Sequence, residues 1–435
     1  MNDNRQIIIL GGGLTGISCA YHLQERCYIY EKENTPGGLC RSVSLDGFTF
    51  DYTGHLLHLR DPYGKKFILD LLKKNIIRKK RNAWVFSKNT FTRYPFQAHT
   101  YGLPKKIIKQ CLSDYFAAQA KIKRSPKKPT NYHDWIIRNF GHAIAKYFML
   151  PYNQKIWQTD LNAITTEWVK DYVPQPSTEQ VLKGSLTDED STLGYNTEFY
   201  YPQRGGIQSL INALCSRVEH PIELNAEALR VRWYDRRVEI AGKGPLMYRH
   251  LVSTMPLPQL MNRMHRVPSD VADATRKLKW ISLVCINIGI GRSNITDKHW
   301  VYFPEKEFPF YRVGFYHNIS PNLVPPHTSS LYIEIAHRPE KKLNLHQTMS
   351  ATIHGLRRAK IIRADDKILK INFLPIKYAY VIYNTDRTPA VSVIQRFLKS
   401  HNIISTGRYG GWKYSYMEEA VLDGKKAAEY IRDHG

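Results

Sequence analysis

A chain of 435 residues, of which 43% are hydrophobic and 12% aromatic, can bury more than one core, so its composition excludes a disordered protein and predicts two or more intertwined lobes. The apolar runs are too short for a membrane span, and the six cysteines are widely spaced without a CxxC pair, which argues against a zinc knuckle or a disulfide framework. A formal charge of +25 indicates an anionic partner but does not choose among nucleic acid, an acidic membrane and a phosphorylated substrate.

The N-terminal region combines an apolar strand with a glycine-rich turn. Residues 7–10 are followed by Gly11, Gly13 and Gly16 in GxGxxG spacing, and then by a helical pattern. In such a unit the first glycine makes the turn, the second lets a pyrophosphate approach, and the third lets helix pack on strand. A second strand ends in Glu31, twenty residues after Gly11, where a carboxylate can accept hydrogen bonds from ribose hydroxyls. The combination predicts a dinucleotide site.

A second glycine pair indicates which dinucleotide binds. Gly37 and Gly38 follow Glu31 closely and precede Arg41, so a second loop can approach the same pyrophosphate with a basic side chain beside it. This arrangement resembles the FAD-binding fingerprint of the flavoprotein group that includes amine oxidases, protoporphyrinogen oxidases and UDP-galactopyranose mutases. The resemblance implies an α/β fold, with a Rossmann-type FAD-binding domain and a mixed substrate domain of helices and antiparallel sheet.

Two distant stretches support FAD as the cofactor. The segment "VSTMP" at 252–256 resembles the strand and turn that follow in those flavoproteins, and the last 30 residues give a strand, a glycine turn and a helix from about Met417. A helix starting there would direct its positive end at the flavin. The residues expected to bind FAD are Gly11, Gly13, Leu14, Thr15, Gly16, Glu31, Lys32, Gly37, Gly38, Leu39, Arg41, Gly54, His55, Gly407, Arg408 and Met417.

Two histidines, His55 and His58, follow a short strand in "GFTFDYTGHLLHLRD". An HxxH pair could ligate a metal, but no third ligand is nearby and the HExxH glutamate is absent, so no metal site is predicted. A purely structural role as hydrogen-bonded side chains at a strand end stays open. Gly54-His55-x-x-His58 resembles the Gly-x-His-x-x-His stretch of UDP-galactopyranose mutases, although the glycine is one residue closer to the first histidine.

Further segments resemble that family in its order along nearly the whole chain. They are "TRYPFQAHTYGLP", "PYNQKIWQTDLNAITTEWV", "FYYPQRGGIQSLINAL", "FYRVGFY", "YAYVIYN" and "GRYGGWKYSYME". The resemblance implies a pyranose–furanose mutase acting on a nucleotide sugar for surface-polysaccharide synthesis, with N5 of reduced flavin as the nucleophile. The protein then needs no nucleophilic side chain but must bind the diphosphate and exclude water.

The resemblance also implies roles for individual residues. Arg312 would bind the diphosphate because its planar fork suits phosphate oxygens. Tyr380 and Tyr383 would bind phosphates, Trp157 would border the sugar and Arg408 the flavin. The expected catalytic residues are His55, His58 and Arg312, and the expected substrate-binding residues are Tyr94, Phe96, Trp157, Arg312, Tyr380 and Tyr383.

One departure keeps a second interpretation open. The family's second diphosphate arginine lies in a stretch that here reads "KDYVPQPST" at 170–178, without arginine, and Lys170 or Arg204 would have to compensate. The alternative is an amine oxidase or protoporphyrinogen oxidase type of oxidoreductase, in which substrate hydride passes to flavin. A basic surface would then suit a carboxylated porphyrin or a membrane. A flavin-binding protein without catalysis is a third class.

The same reading predicts the domains and partners. The FAD-binding domain should be formed by residues 1–70, 195–265 and 365–435, around a sheet that is parallel at its centre. The substrate lobe should be formed by residues 71–194, which are expected to be mainly helical, together with residues 266–364. The polar segment 183–198 is expected to be a mobile loop that gates the cleft. The basic runs 73–81 and 121–129 are either solvated helix faces or membrane-docking segments. The expected partner is a small molecule, and nucleic acid is not expected to bind. Whether the protein forms a homodimer is left open. No secretory leader is recognised, so the expected location is cytoplasmic or peripheral at the inner membrane face.

Overall fold

A computed structural model of the protein describes residues 6–125, 128–189, 193–194 and 196–434. The helices are α1 Leu14–His22, α2 Pro62–Leu72, α3 Lys105–Arg124, α4 Tyr132–Ile144, α5 Leu150–Trp157, α6 Val169–Tyr172, α7 Thr178–Leu186, α8 Gln208–Cys215, α9 Leu257–Arg263, α10 Ser269–Lys277, α11 Tyr316–Ile319, α12 Leu345–Arg358, α13 Arg387–Lys399, α14 Gly407–Gly410 and α15 Met417–His434. The strands are β1 Gln6–Leu10, β2 Cys27–Tyr30, β3 Ser42–Leu45, β4 Phe48–Asp51, β5 Ile77–Lys80, β6 Ala83–Ser87, β7 Thr90–Arg93, β8 Glu198–Tyr201, β9 Ile222–Glu223, β10 Ala228–Arg232, β11 Arg237–Ile240, β12 Pro245–Ser253, β13 Trp280–Ile290, β14 Trp300–Tyr302, β15 Arg312–Phe315, β16 Ser329–His337, β17 Ile368–Val381 and β18 Ile403–Ser405.

The first sheet carries the glycine turn at its centre. Its order is β10-β11-β12-β1-β2-β9, and β18 pairs with β12. Strand β1 is parallel to both neighbours, so that Ile8 lies opposite Leu251 of β12 and Tyr28 of β2. All four residues of the apolar run 7–10 are buried because helices cover this part of the sheet. The predicted α/β fold with a parallel centre is confirmed.

The second sheet has the order β17-β13-β16-β15-β14-β6-β7 and is antiparallel except for the β14–β6 pair. Strand β13 lies between β17 and β16, and every residue of β13 after Trp280 is buried. One face packs against phenylalanines of the loop before β15 and against α12, where Phe310 and Leu356 are fully buried. This sheet therefore holds its strands rigidly and presents the other face toward the glycine turn.

The structure corrects two expectations about the chain's organisation and adds to a third. The boundary at 365 is wrong for β17, because this strand pairs with β13 along its length and so belongs to the second sheet. The lobe 71–194 contributes β6 and β7 to that same sheet, in addition to its helices. The basic run 73–81 is not a helix face: α2 ends at Leu72, Lys73 adopts a positive φ of 49°, and the run continues as β5.

Two predicted segments fall partly outside the described residues. The run 121–129 begins in the last turn of α3, and its residues 126–127 lie outside them. The gating loop expected at 183–198 begins inside α7, and its residues 190–192 and 195 also lie outside. Among the helices that the structure describes, none combines the length and the apolarity that crossing a bilayer requires.

Candidate functional site

A cavity of about 620 Å³ lies between the two sheets. One end is lined by the turn after β1, the loop 37–41 and the start of α15. The other end is lined by side chains of β15, β16 and β17 and by the segment 407–417. The first end thus offers mostly backbone to a ligand, whereas the second offers tyrosines and arginines.

The backbone end is shaped by glycines around the first turn of α1. Helix α1 begins after Gly13 without a side-chain cap, so its first N–H groups stay available to a ligand. Gly16 allows the helix to cross β1 closely, since a Cβ there would lie 2.1 Å from the carbonyl oxygen of Gly11. Gly13 and Gly38 face each other, because a Cβ on Gly13 would have the Gly38 Cα at 3.9 Å as its nearest neighbour. A side chain at either position would enter the cavity.

A buried carboxylate and two cations complete this end. Glu31 accepts the N–H of Gly12 at 2.7 Å and that of Glu33 at 2.9 Å, while it also lines the cavity. Arg41 donates from Nε to the carbonyl oxygen of Gly38 at 2.8 Å, and Lys32 lies on the same rim. An uncapped helix start, a glycine cradle and a carboxylate placed for a ribose fit the adenosine diphosphate part of FAD.

The C-terminal segment lines the cavity from Gly407 to the first turn of α15. Helix α15 begins at Met417, as predicted, and its first turn lines the cavity. Arg408 donates to the carbonyl oxygens of Ser415 and, at 3.1 Å, of Ala379, and its guanidinium lies 4.9 Å from the ring of Tyr414. Arg408 therefore fixes the segment 407–417 against β17 while its charge faces the cavity.

Both predicted histidines line the cavity between its two ends. Burial, reinforced by the positive charges of Arg408 and Arg312, lowers the pKa of His55 to about 3. Burial also lowers the pKa of His58 to about 4, and its Nδ1 lies 3.3 Å from the carbonyl oxygen of Glu198. Both imidazoles are consequently neutral near pH 7 and can each donate one hydrogen bond and accept another.

A buried acid holds the strand that leads to these histidines. Asp51, at the end of β4, accepts from the hydroxyls of Ser42 and Tyr201, each at 2.6 Å, and from the N–H of Ile207 at 3.2 Å. Burial raises the pKa of Asp51 to about 6 despite these donors. Beyond it, Gly54 passes so close to the second sheet that a Cβ would lie 2.2 Å from the hydroxyl of Tyr332. The segment 51–58 is thus positioned from both sides.

Arg312 lies in the cavity wall and is held by a carboxylate that the sequence analysis missed. Its Nε and Nη2 each donate to Glu334 at 2.6 Å, across the β15–β16 register. The Glu334 side chain is fully buried, whereas 21% of the Arg312 side chain is exposed. An acid inside the apolar strand "SSLYIEIAH" was the available signal, because buried acids are rare unless they are paired.

Tyrosine hydroxyls dominate the rest of this wall. Sequence reasoning singled out Tyr380 but not its neighbours, which come from strands far apart in the chain. Burial raises the pKa of Tyr380, Tyr332 and Tyr414, so these hydroxyls stay protonated. The tyrosines lining the cavity are Tyr30, Tyr52, Tyr172, Tyr302, Tyr332, Tyr378, Tyr380, Tyr409, Tyr414 and Tyr416.

Four residues expected to bind substrate lie behind this wall instead of lining the cavity. The ring of Tyr94 packs 4.7 Å from that of Tyr302, and Phe96 is fully buried. The Trp157 indole makes an edge contact with Tyr380 at 5.9 Å. The hydroxyl of Tyr383 accepts the N–H of Tyr414 at 2.9 Å. As the structure stands, they support the cavity-lining tyrosines from behind.

The candidates for a second diphosphate cation also lie elsewhere. Lys170 and Arg204 are exposed, and neither belongs to the residues lining the cavity. Arg408 is instead the second arginine in the wall. Within the described ranges, no group of three or more His, Cys, Asp or Glu side chains is arranged to hold a metal ion.

Comparison with known protein families finds one that matches most of the chain. The family model for flavin-containing amine oxidoreductases matches residues 14–432. Coproporphyrinogen III oxidase of Staphylococcus aureus (strain NCTC 8325 / PS 47) is 24% identical over 184 residues. That match covers 37% of this chain and 38% of the relative, so it spans well under half of the relative's length.

Solved structures resemble the whole chain. A reduced UDP-galactopyranose mutase superposes with a TM-score of 0.92 and 26% identity, over 99% of this chain and 96% of the other. A protein from Exiguobacterium sp. 255-15, provisionally named a protoporphyrinogen oxidase, has a TM-score of 0.77 and 15% identity, over 99% of both chains. Putrescine oxidase bound to putrescine has a TM-score of 0.67 and 14% identity, over 99% of both chains. The last two likenesses show the fold alone.

The family match and the geometry of the cradle agree on the cofactor. The matched range begins at Leu14, directly after the glycine turn, and includes α1, the second glycine loop and most of α15, parts of which line the backbone end of the cavity. FAD is therefore the cofactor, and the chain belongs to the flavin-containing amine oxidoreductase family.

Proposed function

We propose that the protein is a FAD-dependent isomerase of the pyranose–furanose mutase type that acts on a nucleotide sugar. The observation that carries the proposal is the cavity wall, in which two arginines and several protonated tyrosines converge. Likeness to the UDP-galactopyranose mutase structure over 99% of the chain, at 26% identity, supports it. When bound, reduced FAD supplies the nucleophilic centre that such an isomerisation needs.

The chain's own part in this reaction is to bind the diphosphate. In Arg312, Nε and Nη2 already donate hydrogen bonds to Glu334, so Nη1 is the nitrogen that can donate a hydrogen bond to a phosphate oxygen. Glu334 fixes the plane of the guanidinium in advance, which reduces the entropy lost when a ligand binds. The guanidinium of Arg408 donates hydrogen bonds to backbone carbonyls rather than to a carboxylate, so these contacts do not neutralise its positive charge. The wall is therefore net positive and suits an anionic leaving group.

Neutral hydroxyls and imidazoles would orient the sugar. The Tyr332, Tyr380 and Tyr414 hydroxyls can each donate to a phosphate or accept from a sugar hydroxyl. His55 and His58 lie between them and the cofactor end, and in their neutral form they can hydrogen-bond without adding charge. The site lies between the two sheets, where a local dielectric lower than that of bulk water strengthens each of these contacts.

A second candidate is an oxidase that acts on an anionic substrate such as a carboxylated porphyrinogen. The family model and the similarity to the Staphylococcus aureus coproporphyrinogen III oxidase favour it. In that case a substrate hydride would pass to oxidised flavin, and the same arginines would bind carboxylates. A cationic amine suits the cavity less well because it would face two guanidinium groups.

Anaerobic turnover separates the two candidates. We would load the protein with FAD and offer nucleotide sugars to its oxidised and dithionite-reduced forms, with furanose products measured by chromatography and NMR. A mutase should convert sugar only when reduced, with no net change in flavin oxidation state. Bleaching of the oxidised flavin by a porphyrinogen, without conversion of any sugar, would instead support the oxidase.

A further inference from the structure

The outer face of α3 carries basic side chains that the proposed chemistry does not use. Cys111 and Tyr115 are buried on the inner side of this 20-residue helix, which packs against α4. At about 100° per residue, the exposed residues of α3 fall within an arc of about 160°. The basic residues on that arc are Lys105, Lys106, Lys109, Lys121, Lys123 and Arg124.

Only part of this charge serves the helix itself: the basic residues of the last turn complement the helix dipole, but the lysines of the first turn do not. Lys105 and Lys106 lie in the first turn, where positive charge opposes the helix dipole, and the N-cap Pro104 provides no side-chain cap. Asp114, the single acid in α3, is turned toward α4, where its carboxylate accepts the N–H of Ala143 at 2.8 Å. A sequence that breaks a local rule without a local gain indicates a function for the exposed charge.

Exposed apolar side chains accompany the lysines. Phe116 lies within the basic arc and remains 37% exposed. Just before α3, Tyr101 is 46% exposed, and its N–H donates to the carbonyl oxygen of Gly184 at 3.1 Å, which places it beside α7. On α7, Leu182 and Leu186 are 44% and 66% exposed and lie one turn apart.

We propose that this surface, formed by the α3 arc with Tyr101, Leu182 and Leu186, binds to a bilayer that contains anionic lipid. Lysines match the charge of anionic headgroups, and the aromatic and leucine side chains can enter the headgroup boundary. A nucleic-acid backbone would match the lysines but would leave the exposed leucines without an apolar partner. The net charge of +25 strengthens attraction to such a surface, whichever reaction the cavity supports.

Vesicle cosedimentation of the FAD-loaded protein tests the proposal. We expect binding to phosphatidylcholine vesicles that contain about 30% phosphatidylglycerol, and none to phosphatidylcholine alone. Salt at about 1 M should weaken the binding strongly, since it reduces the Debye length to about 3 Å. No binding to the anionic vesicles, or equal binding to both kinds, would overturn the proposal.

Matched variants locate the surface. Lys105→Gln/Lys106→Gln/Lys109→Gln should weaken vesicle binding by about 100-fold, because each lysine near an anionic surface contributes about fivefold. The control Lys341→Gln/Lys342→Gln/Lys360→Gln removes the same charge from exposed positions around α12 and should bind like the wild type. An equal loss in both variants would mean that net charge alone drives binding, which would contradict an α3 surface.

Two further outcomes discriminate the apolar contribution and the alternative partner. Phe116→Ser leaves the charge unchanged and should weaken vesicle binding several-fold, with a loss that persists at high salt. Duplex DNA measured in the same buffer serves as the competing partner. If the α3 triple variant lost DNA binding while its vesicle binding stayed at the wild-type level, the surface would be a nucleic-acid site and the proposal would fail.

Discussion

Arg312 has two roles that a double-mutant cycle can separate: it pairs with Glu334, and we propose that it binds the diphosphate. Arg312→Leu removes both roles and leaves the fully buried Glu334 carboxylate without its partner. Arg312→Leu/Glu334→Leu removes the pair as a whole and replaces it with apolar volume. The two variants should therefore differ in stability and agree in ligand affinity.

The expected magnitudes follow from the burial of the pair. Removing one partner of a buried ion pair destabilises a protein by about 3–5 kcal/mol, whereas replacing both partners by apolar residues is often neutral. For 435 residues the unfolding entropy is about 0.9 kcal/mol/K, so the single variant should lower the Tm by about 3–5 °C. Loss of the guanidinium should weaken uridine diphosphate binding by about 10- to 100-fold in both variants, which corresponds to a charge-assisted hydrogen bond.

The assays are thermal unfolding of the FAD-loaded protein and calorimetric titration with uridine diphosphate. A matched control exists in Arg292 and Asp366, a bidentate pair at 2.6 and 2.7 Å that does not line the cavity. Arg292→Leu should also lower the Tm but should leave uridine diphosphate affinity unchanged. Wild-type affinity in Arg312→Leu/Glu334→Leu would refute the binding role, and a double variant as unstable as Arg312→Leu would refute the account of the pair.

Three other substitutions test the rest of the site. Gly13→Val should abolish the flavin spectrum of the purified protein because its side chain would enter the cradle, whereas Gly244→Ala, with no neighbour within 4 Å of its Cβ, should keep it. His55→Ala should lower turnover and retain flavin. Because burial lowers the pKa of His55 to about 3, the wild-type turnover rate should show no change between pH 5 and 8 that reports titration of this histidine. A change of rate in that range that disappears in His55→Ala would contradict a neutral His55. The pKa of Asp51 is raised to about 6 in the folded protein, so the native state holds this proton more tightly than the unfolded chain does. The contribution of Asp51 to the free energy of unfolding therefore falls, by at most about 3 kcal/mol, as pH rises from about 4 to about 6. The Tm of Asp51→Asn relative to wild type should therefore rise across that range, and a constant difference would show that Asp51 does not titrate there.

The backbone end of the cavity was predictable because its signals are local. The spacing of Gly11, Gly13 and Gly16, the position of Glu31 and the start of α15 each follow from a short segment with one structural solution. The structure places these residues around one cavity, apart from Gly16, which packs against β1 below it. Short-range geometry dictates this end, so little tertiary information was needed.

The side-chain end was only partly predictable because it is assembled from distant strands. Tyr302, Tyr332 and Tyr414 are separated by dozens of residues, and in a chain with 28 tyrosines nothing local marks these three. Tyr383 was selected together with Tyr380, but β17 ends at Val381, so the alternation that directs Tyr380 into the cavity does not extend to Tyr383.

The misplacement of β17 has a similar origin. Its partner β13 lies roughly ninety residues earlier in the chain, and pairing over that distance leaves no periodic signal. Pro375 was a usable clue, since proline within a strand pattern indicates an edge strand, and β17 is indeed the edge of the second sheet. The clue indicates an edge but not which sheet the edge belongs to.

The difference between the two ends of the cavity bears on how its chemistry can change. The backbone end of the cavity, which would hold FAD, consists largely of main-chain groups and a helix start, and substitutions of wall side chains leave these in place. Several groups that we propose to contact the substrate lie on β15, β16 and β17, where strand pairing fixes each side chain independently of the cofactor. A change such as Tyr380→Phe should therefore alter substrate affinity while flavin content stays constant. Because Glu334 already compensates Arg312, the wall's net positive charge comes mainly from Arg408 and Lys377, and Arg408 also anchors the segment 407–417. The anion preference that we propose is thus linked to a side chain that holds the segment 407–417 against β17, so replacing Arg408 should affect both.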